Sequence, residues 1–338
     1  MNSIWQEYLG ASGARIENSL VTDFGDLASE LASARDSTIV SPLTHLGLFE
    51  CTGEDAKSFL HNQLTSDVNH LAPGSAQRSA WCTAKGRMQA SFVLYRHGPD
   101  YRALLSSDLL EATQKRLQMF VLRSKVKIAD RSGSNEFIGL SGPQSEVALH
   151  GAGVPVPGKP METADFAAGT IIRLEEFRFV IVAASEAAAD LWKKLAENAL
   201  PVGTTAWFWL DVQAGIPLIV EATKDAFIPQ MVNFDKIGGV SFHKGCYPGQ
   251  EIVARTQYLG KVKRHLYRIH ATNPIVAGAS IYIPDSPEHP CGMVVNAAPS
   301  PAGGYDALAV MQETFVESAD LALGAPDGQH FVIEPVVA

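Results

Sequence analysis

The sequence has 338 residues and a net charge of −9, so it is long enough for two or three domains and is a poor general binder of nucleic acids or of anionic membrane surfaces. Its four cysteines are far apart in the chain. Their spacing argues against a zinc site or a disulfide framework and predicts a reducing compartment.

The N-terminal segment MNSIWQEYLG lacks the basic start and the apolar core of a signal peptide. No apolar run in the sequence is long enough to span a bilayer. We therefore expect a cytoplasmic protein that makes no membrane contact.

Residues 38–135 have the pattern of a first α+β unit. Strands are predicted for THLGLFECTG, AQRSAWCT, RMQASFVLYR, YRALLSS and KVKIAD, and helices for GEDAKSFLHNQL and SDLLEATQKRLQMFVL.

Residues 136–260 have the pattern of a second α+β unit. Whether the two units interleave along the chain stays open. Its strands are NEFIGLSG and the pair within GTIIRLEEFRFVIVAAS. Its helices are GPQSEVALHG and SEAAADLWKKLAENAL, with TTAWFWLDVQAG as a further helix or turn. From residue 261 to residue 338, short strands alternate with Pro/Gly turns, which is typical of a small β-barrel or sandwich.

The segment KGCYPGQEIVARTQYLG carries the most specific signal. Pro248 suits the first turn of a helix, QEIVARTQYL continues as that helix, and Gly260 stands where a left-handed C-terminal cap is expected. Cys246 then lies just before a helix N-terminus, where the helix dipole and Lys244 favour the thiolate. The same residues also fit a cysteine packed as a small hydrophobe in a glycine-rich turn. From the residues alone both interpretations stay open.

A longer stretch, FIPQMVNFDKIGGVSFHKGCYPGQEIVARTQYLGKVKRHLY, resembles the signature of the YgfZ family of folate-binding proteins, which are related to the T-protein of glycine cleavage and to a mitochondrial iron–sulfur assembly factor. FLHNQLTSDV, CTAKGRM and LSGP are similar to further landmarks of that family. The resemblance implies an α+β fold: a T-protein-like three-domain ring of two mixed α/β units with a C-terminal small β-barrel. It also implies a channel that binds tetrahydrofolate and a role in the assembly or repair of iron–sulfur enzymes.

The resemblance assigns family roles to several residues of this sequence by their position in the motif. Cys246 corresponds to the signature cysteine of the family, as a redox or transient ligand thiol. The expected folate-binding residues are Lys244, Gly245, Tyr247, Gly249, Gln250, Glu251, Arg255, Gln213, Asn62, Asp67, Lys85 and Arg87. We expect no metal site, since no metal-ligand spacing such as HExxH occurs.

Two motifs depart from the T-protein. Gln89 and Ala90 in AKGRMQA stand where that protein has acids, and Gln213 stands for a glutamate before Ala214 and Gly215. An amide can hydrogen-bond a pterin but cannot act as a general base. Whether the protein is an enzyme is therefore left open.

Three functions compete. The first is a folate-binding accessory protein for iron–sulfur enzymes, including tRNA-modifying ones, which acts as a monomer without direct RNA contact. The second is a folate-dependent aminomethyl or one-carbon transferase. The third is an RNA-linked scaffold that uses the basic residues Lys261, Lys263 and Arg264; these residues also fit a solvated strand surface or a site for a polyglutamate tail or an acidic partner.

Overall fold

The computed structural model describes residues 2–260, 262–284, 288–316 and 320–336, so Lys261 lies outside the described residues. The helices are α1 Ser3–Ala11, α2 Leu27–Asp36, α3 Ala56–Gln63, α4 Ser107–Gln118, α5 Ser145–Gly151, α6 Ser185–Leu195, α7 Thr204–Gln213, α8 Gln250–Tyr258 and α9 Glu313–Val316. The strands are β1 Arg15–Glu17, β2 Leu20–Asp23, β3 Ile39–Pro42, β4 Leu46–Thr52, β5 Ala76–Cys82, β6 Met88–His97, β7 Asp100–Ser106, β8 Lys127–Asp130, β9 Asn135–Ser141, β10 Thr163–Phe166, β11 Gly169–Glu175, β12 Arg178–Ala184, β13 Leu200–Pro201, β14 Arg264–Ala271, β15 Ser280–Tyr282, β16 Gly292–Pro299, β17 Tyr305–Gln312, β18 Ala322–Leu323 and β19 Val332–Pro335.

The chain divides into two compact units that alternate along the sequence. Unit 1 consists of Met1–Ala56, His70–Gln77 and Val93–Trp207, and unit 2 consists of Lys57–Asn69, Arg78–Phe92 and Phe208–Ala338. The boundaries expected near residues 135 and 260 stay predictions.

Unit 1 contains a six-stranded sheet with the order β10-β11-β12-β9-β3-β13. All its pairings are antiparallel except that of β13 with β3. Every residue of β9 is buried, because the apolar strands at the centre of this sheet are covered on both faces. In the same unit β4 pairs antiparallel with both β7 and β8.

Residues 2–37, for which the sequence predicted no elements, contribute to the core of unit 1. Trp5 and Leu9 on α1 are buried in a cluster with Trp192 on α6. The rings of Trp5 and Trp192 meet edge to face, with centroids 5.7 Å apart, which is a favourable arrangement for an aromatic pair.

An ion-pair cluster in unit 1 joins β4, β7 and the turn that follows β8. The Glu50 carboxylate accepts hydrogen bonds from Arg102 at 2.9 Å and from Arg131 at 2.7 Å, and only 7% of its side chain is exposed. Burial by itself raises the pKa of Glu50, but the two guanidinium groups outweigh that effect and hold the pKa below its usual value.

The C-terminal part of unit 2 is an antiparallel sheet with the order β18-β15-β16-β17-β14-β19. Its register shifts between Val294 and Asn296, a local irregularity that increases the twist of a strand. Ile269, Val294 and Ala309 belong to its buried core. The expected C-terminal β fold is therefore confirmed as a curled sheet. Among the described residues, no helix has both the length and the apolar character needed to cross a bilayer.

Candidate functional site

The backbone of the KGCYPGQE segment turns sharply at Gly249. This glycine has φ +83° and is the N-cap of α8. Pro248 therefore lies before the cap, and the expectation that it opens the helix is wrong. The expectation of a left-handed cap at Gly260 is also wrong, because the backbone of Gly260 does not adopt the left-handed conformation. Its N–H donates to the Arg255 carbonyl at 2.8 Å.

Gly249 adopts this conformation where it packs against the AKG turn. A Cβ on Gly249 would lie 2.4 Å from the Thr83 carbonyl oxygen and 2.6 Å from the Gly86 Cα. A Cβ on Gly86 would in turn lie 3.2 Å from the Ile252 Cβ. The two turns, far apart in sequence, are thus in direct backbone contact.

Lys244 attaches the cysteine segment to the end of α3. Its Nζ donates to the carbonyl oxygens of His61 and, at 2.6 Å, of Leu64, and it lies 5.0 Å from the centroid of the Tyr247 ring. Burial lowers the pKa of Lys244 to about 8, while the negative charge of Asp67 opposes that shift. Lys244 therefore holds the cysteine segment against the end of α3, because its ammonium group is bonded to the carbonyls of His61 and Leu64.

Cys246 differs from the other three cysteines of the chain. It is exposed, whereas Cys51, Cys82 and Cys291 are buried. Burial raises the pKa of Cys51 and of Cys82 to about 12. Only Cys246 therefore offers an accessible thiol, as a reactive cysteine requires.

Sequence reasoning missed His61, which lies beside the same segment. Its Nδ1 is 3.2 Å from the Asp67 Oδ1, and its Nε2 is 3.6 Å from the position that a Cβ on Gly245 would occupy. The signal was its place within FLHNQLTSDV, the segment that also contains Asn62 and Asp67.

The remaining polar residues of that segment differ in exposure. Asn62 is exposed at the end of α3. The Gln63 Oε1 is buried and has no hydrogen-bond partner in the described part of the chain. Asp67 also accepts the backbone N–H of Asn69 at 3.0 Å. The unsatisfied oxygen of Gln63 is notable, because a buried acceptor without a donor is costly.

The first half of α8 and the turn before it position the other motif residues. Gln250 donates to the Lys244 carbonyl at 3.3 Å, while Gly245, Glu251 and Arg255 are exposed. Tyr247 is 7% exposed, and burial raises the pKa of its hydroxyl, with the Cys82 thiol adding to the effect.

A second glutamine approaches the same helix from the turn Pro229–Val232. Gln230 donates from Nε2 to the Val253 carbonyl at 2.7 Å. Its Oε1 is buried and lacks a donor among the described residues.

The AKGRMQA turn places its basic residues differently. Lys85 is exposed, whereas Arg87 donates to the Ala226 carbonyl at 2.6 Å. Gln89, at one of the positions where the T-protein has an acid, is buried and donates to the Asp225 carboxylate. The Asp225 carboxylate therefore stands beside Gln89, although Asp225 lies outside the AKGRMQA motif.

Gln213 belongs to a different polar cluster of unit 2. Its Nε2 donates to the Asp306 Oδ2 at 3.1 Å, as does the Trp209 Nε1 at 2.8 Å. The His270 Nδ1 lies 2.7 Å from the Asp306 Oδ1. The cluster joins the end of α7 to strands β14 and β17. In the described ranges, no group of three or more His, Cys, Asp or Glu side chains could hold a metal ion.

Comparison with known proteins places the chain in a family. The model of the GCVT N-terminal domain matches residues 17–154. The chain is 32% identical over 259 residues to the tRNA-modifying protein YgfZ of Escherichia coli K12 and to that of Shigella flexneri, covering 76% of this chain and 77% of each relative. The chain belongs to the YgfZ family.

A solved structure agrees with the family's expected fold. The glycine cleavage system aminomethyltransferase T from Bartonella henselae matches with a TM-score of 0.83 over 98% of this chain and 96% of that one, at 17% identity. The expected T-protein-like fold and the YgfZ resemblance are confirmed.

Proposed function

We propose that this YgfZ-family chain is a tetrahydrofolate-binding accessory protein that supports the assembly or repair of iron–sulfur enzymes, with Cys246 as a redox-active or transient ligand thiol. One observation carries the proposal: Cys246 is exposed on a segment held by Lys244 and by the Gly86–Gly249 contact, while the other cysteines are buried. The relatives named tRNA-modifying proteins support tRNA-modifying enzymes as clients. The protein would act as a monomer, without membrane or direct RNA contact.

Polar atoms around the cysteine segment fit a folate. The pterin ring carries N–H donors, and the buried oxygens of Gln63 and Gln230 need donors. Asp67 and the Tyr247 ring supply a further acceptor and an aromatic surface near Lys244. These residues would hold the ring, and the exposed Lys85 and Arg255 would meet the acidic end. Bound tetrahydrofolate would supply a carrier for one-carbon groups.

The thiol supports a transient role with a cluster. A stable iron–sulfur cluster needs about four ligands, mostly cysteines, and the three other cysteines are buried. A single accessible thiol, which gives up its proton when it binds iron, can add one ligand to a cluster that a client protein shares, with the cluster as cargo. Lys244 and Gln250 keep the thiol in place through the backbone.

The test is restoration of an iron–sulfur tRNA-modifying enzyme in cells that lack this protein. We expect Cys246→Ala to abolish restoration and Cys51→Ala, which removes a buried thiol of unit 1, to retain it. Full restoration by Cys246→Ala would refute the role of the thiol. Calorimetric titration with tetrahydrofolate tests the folate part: Lys244→Gln/Arg255→Gln should weaken binding, and an absence of binding to the wild type would refute it.

A folate-dependent one-carbon transferase is the second candidate, and one observation favours it. The Asp225 carboxylate bonded to Gln89 supplies the general base that the glutamine itself cannot. This candidate predicts methylene-tetrahydrofolate from an aminomethyl donor, with the rate lost in Asp225→Asn. Product formation that is unchanged by Asp225→Asn would contradict the assignment.

A further inference from the structure

The segment that follows α4 in unit 1 exposes three large apolar side chains within four residues. The exposed fractions are 74% for Met119, 45% for Phe120 and 88% for Leu122. The apolar face of α4 itself, which includes Leu117, is buried. Single exposed apolar side chains are common on protein surfaces, whereas a contiguous group of them is typical of an interaction site.

Leu122 reaches the solvent from a tight turn with an unfavourable backbone conformation. The Ser124 N–H donates to the Val121 carbonyl at 2.8 Å, and within this turn Leu122 has φ +46°. Glycine and asparagine suit this left-handed region, and a bulky apolar residue adopts it only at a cost in free energy. Because the Leu122 side chain is exposed, packing in the core does not offset that cost. Backbone strain of this kind is concentrated at functional sites.

Hydrogen bonds hold the exposed segment at both ends. The side-chain amides of Gln114 and Gln118 on α4 donate to the Ile128 carbonyl of β8 at 3.1 Å and 3.2 Å. On the other side of the turn, the Lys125 N–H donates to the Asp55 carboxylate at 2.8 Å. The apolar group is therefore preorganised, which lowers the entropic cost of binding a partner.

The apolar group lies in a positively charged part of an acidic chain. Residues 112–129 contain no Asp or Glu but five cations: Lys115, Arg116, Arg123, Lys125 and Lys127. Two of these cations have carboxylate partners, Glu111 and Glu54. Arg123 and Lys127 are exposed and, within the ranges that the structure describes, lie in no ion pair. In a chain with a net charge of −9, this local excess of positive charge is complementary to carboxylates.

We propose that this surface, formed by Met119, Phe120, Leu122, Arg123 and Lys127 and called the α4 surface below, binds an acidic segment of a partner protein. Apolar side chains of that segment would cover Leu122, and its carboxylates would pair with Arg123 and Lys127. An apolar centre with charges at its rim is the usual composition of a protein–protein interface.

An anionic bilayer fits the α4 surface less well than an acidic protein. Two unpaired cations give little attraction to anionic lipids, and the net charge of −9 opposes it. The inference goes beyond the proposed function, because the α4 surface contains no residue of the KGCYPGQE motif and none of the expected folate-binding residues.

The test is fluorescence anisotropy of a labelled acidic peptide, with Leu and Glu at helical spacing, titrated with the full chain. Loss of one buried leucine contact predicts at least tenfold weaker binding to Leu122→Asn. Because asparagine tolerates the left-handed conformation, the same substitution should not lower the urea midpoint, as the loss of a structural residue would. Arg123→Glu/Lys127→Glu should also bind at least tenfold more weakly at low salt, and high salt should reduce that difference.

Matched variants separate the α4 surface from exposed side chains in general. Val276 of unit 2 is 66% exposed, and Val276→Asn should leave the affinity unchanged. Lys194→Glu/Lys236→Glu changes the net charge equally at two exposed positions outside the α4 surface and should also leave it unchanged. Circular dichroism checks that each variant is folded. The same peptide with every Leu replaced by Ser, or every Glu by Gln, should bind at least tenfold more weakly.

Four results would each overturn the proposal. They are no binding of the acidic peptide, equal binding by either folded variant of the α4 surface, tighter binding of phosphatidylserine–phosphatidylcholine vesicles to the same residues, and a dimer in sedimentation that Leu122→Asn dissociates. None of these measurements involves Cys246 or tetrahydrofolate, so the proposed function is tested separately.

Discussion

Replacing Gly249 with alanine should break the contact between the cysteine segment and the AKG turn. A non-glycine residue in the left-handed conformation that Gly249 holds, φ +83°, costs about 1–2 kcal/mol. The new Cβ would also lie 2.4 Å from the Thr83 carbonyl oxygen and 2.6 Å from the Gly86 Cα. Both are backbone atoms that cannot rotate away, and such overpacking costs about 1–3 kcal/mol. We expect the free energy of unfolding to fall by the sum, about 2–5 kcal/mol.

The chain offers a matched control at Gly238. This glycine also holds a left-handed conformation, φ +79°, but a Cβ there would meet nothing within 4 Å. Gly238→Ala should therefore cost only the conformational part, about 1–2 kcal/mol. Urea denaturation followed by circular dichroism gives both values. If the two variants lose the same stability, the backbone contact contributes nothing and the reasoning about the site's assembly is wrong.

Three further predictions concern single side chains. Glu50→Gln should lower the free energy of unfolding by about 3 kcal/mol at pH 7. Because the pKa of Glu50 is depressed in the folded protein, the stabilisation by its carboxylate should disappear as the pH falls through that folded pKa. A stability difference between wild type and variant that stays constant from pH 7 to pH 3 in denaturation curves would contradict this. Lys244→Met leaves two carbonyls at the end of α3 without their donor and should cost about 2 kcal/mol in urea denaturation, whereas Lys194→Met on exposed helix surface should cost nothing measurable. A thiol reagent added to the native protein should label Cys246 alone, as counted by mass spectrometry; a second cysteine that reacts natively at the same rate would show that the others are accessible.

The sequence predicted those elements whose signals are local. The helix QEIVARTQYL is present as α8, and the short strands between Pro/Gly turns form the C-terminal sheet. The motif around Cys246 was long enough to identify the family, and the comparisons confirm that identification. In each case neighbouring residues carried the information.

What the sequence could not supply depends on contacts between distant segments. Gly249 and Gly260 are equally suited to a left-handed turn, and only the approach of Gly86 shows why Gly249 adopts it. The carboxylate beside Gln89 belongs to Asp225, which is far from the AKGRMQA motif in sequence. Residues 2–37 lacked a recognisable pattern because the partner of α1 is on α6.

The alternation of the two units along the chain governs when the site can form during synthesis. Residues 57–69 and 78–92 of unit 2 leave the ribosome early, but the rest of that unit begins only at Phe208. At about 5–20 residues per second the wait is on the order of ten seconds, during which apolar residues such as Trp81 and Phe92, buried in the finished fold, have no completed core. The nascent chain therefore passes through an aggregation-prone interval, during which a chaperone that covers exposed apolar surface would protect it. A message truncated before Cys246 yields a polypeptide without its site and with an unfinished hydrophobic surface.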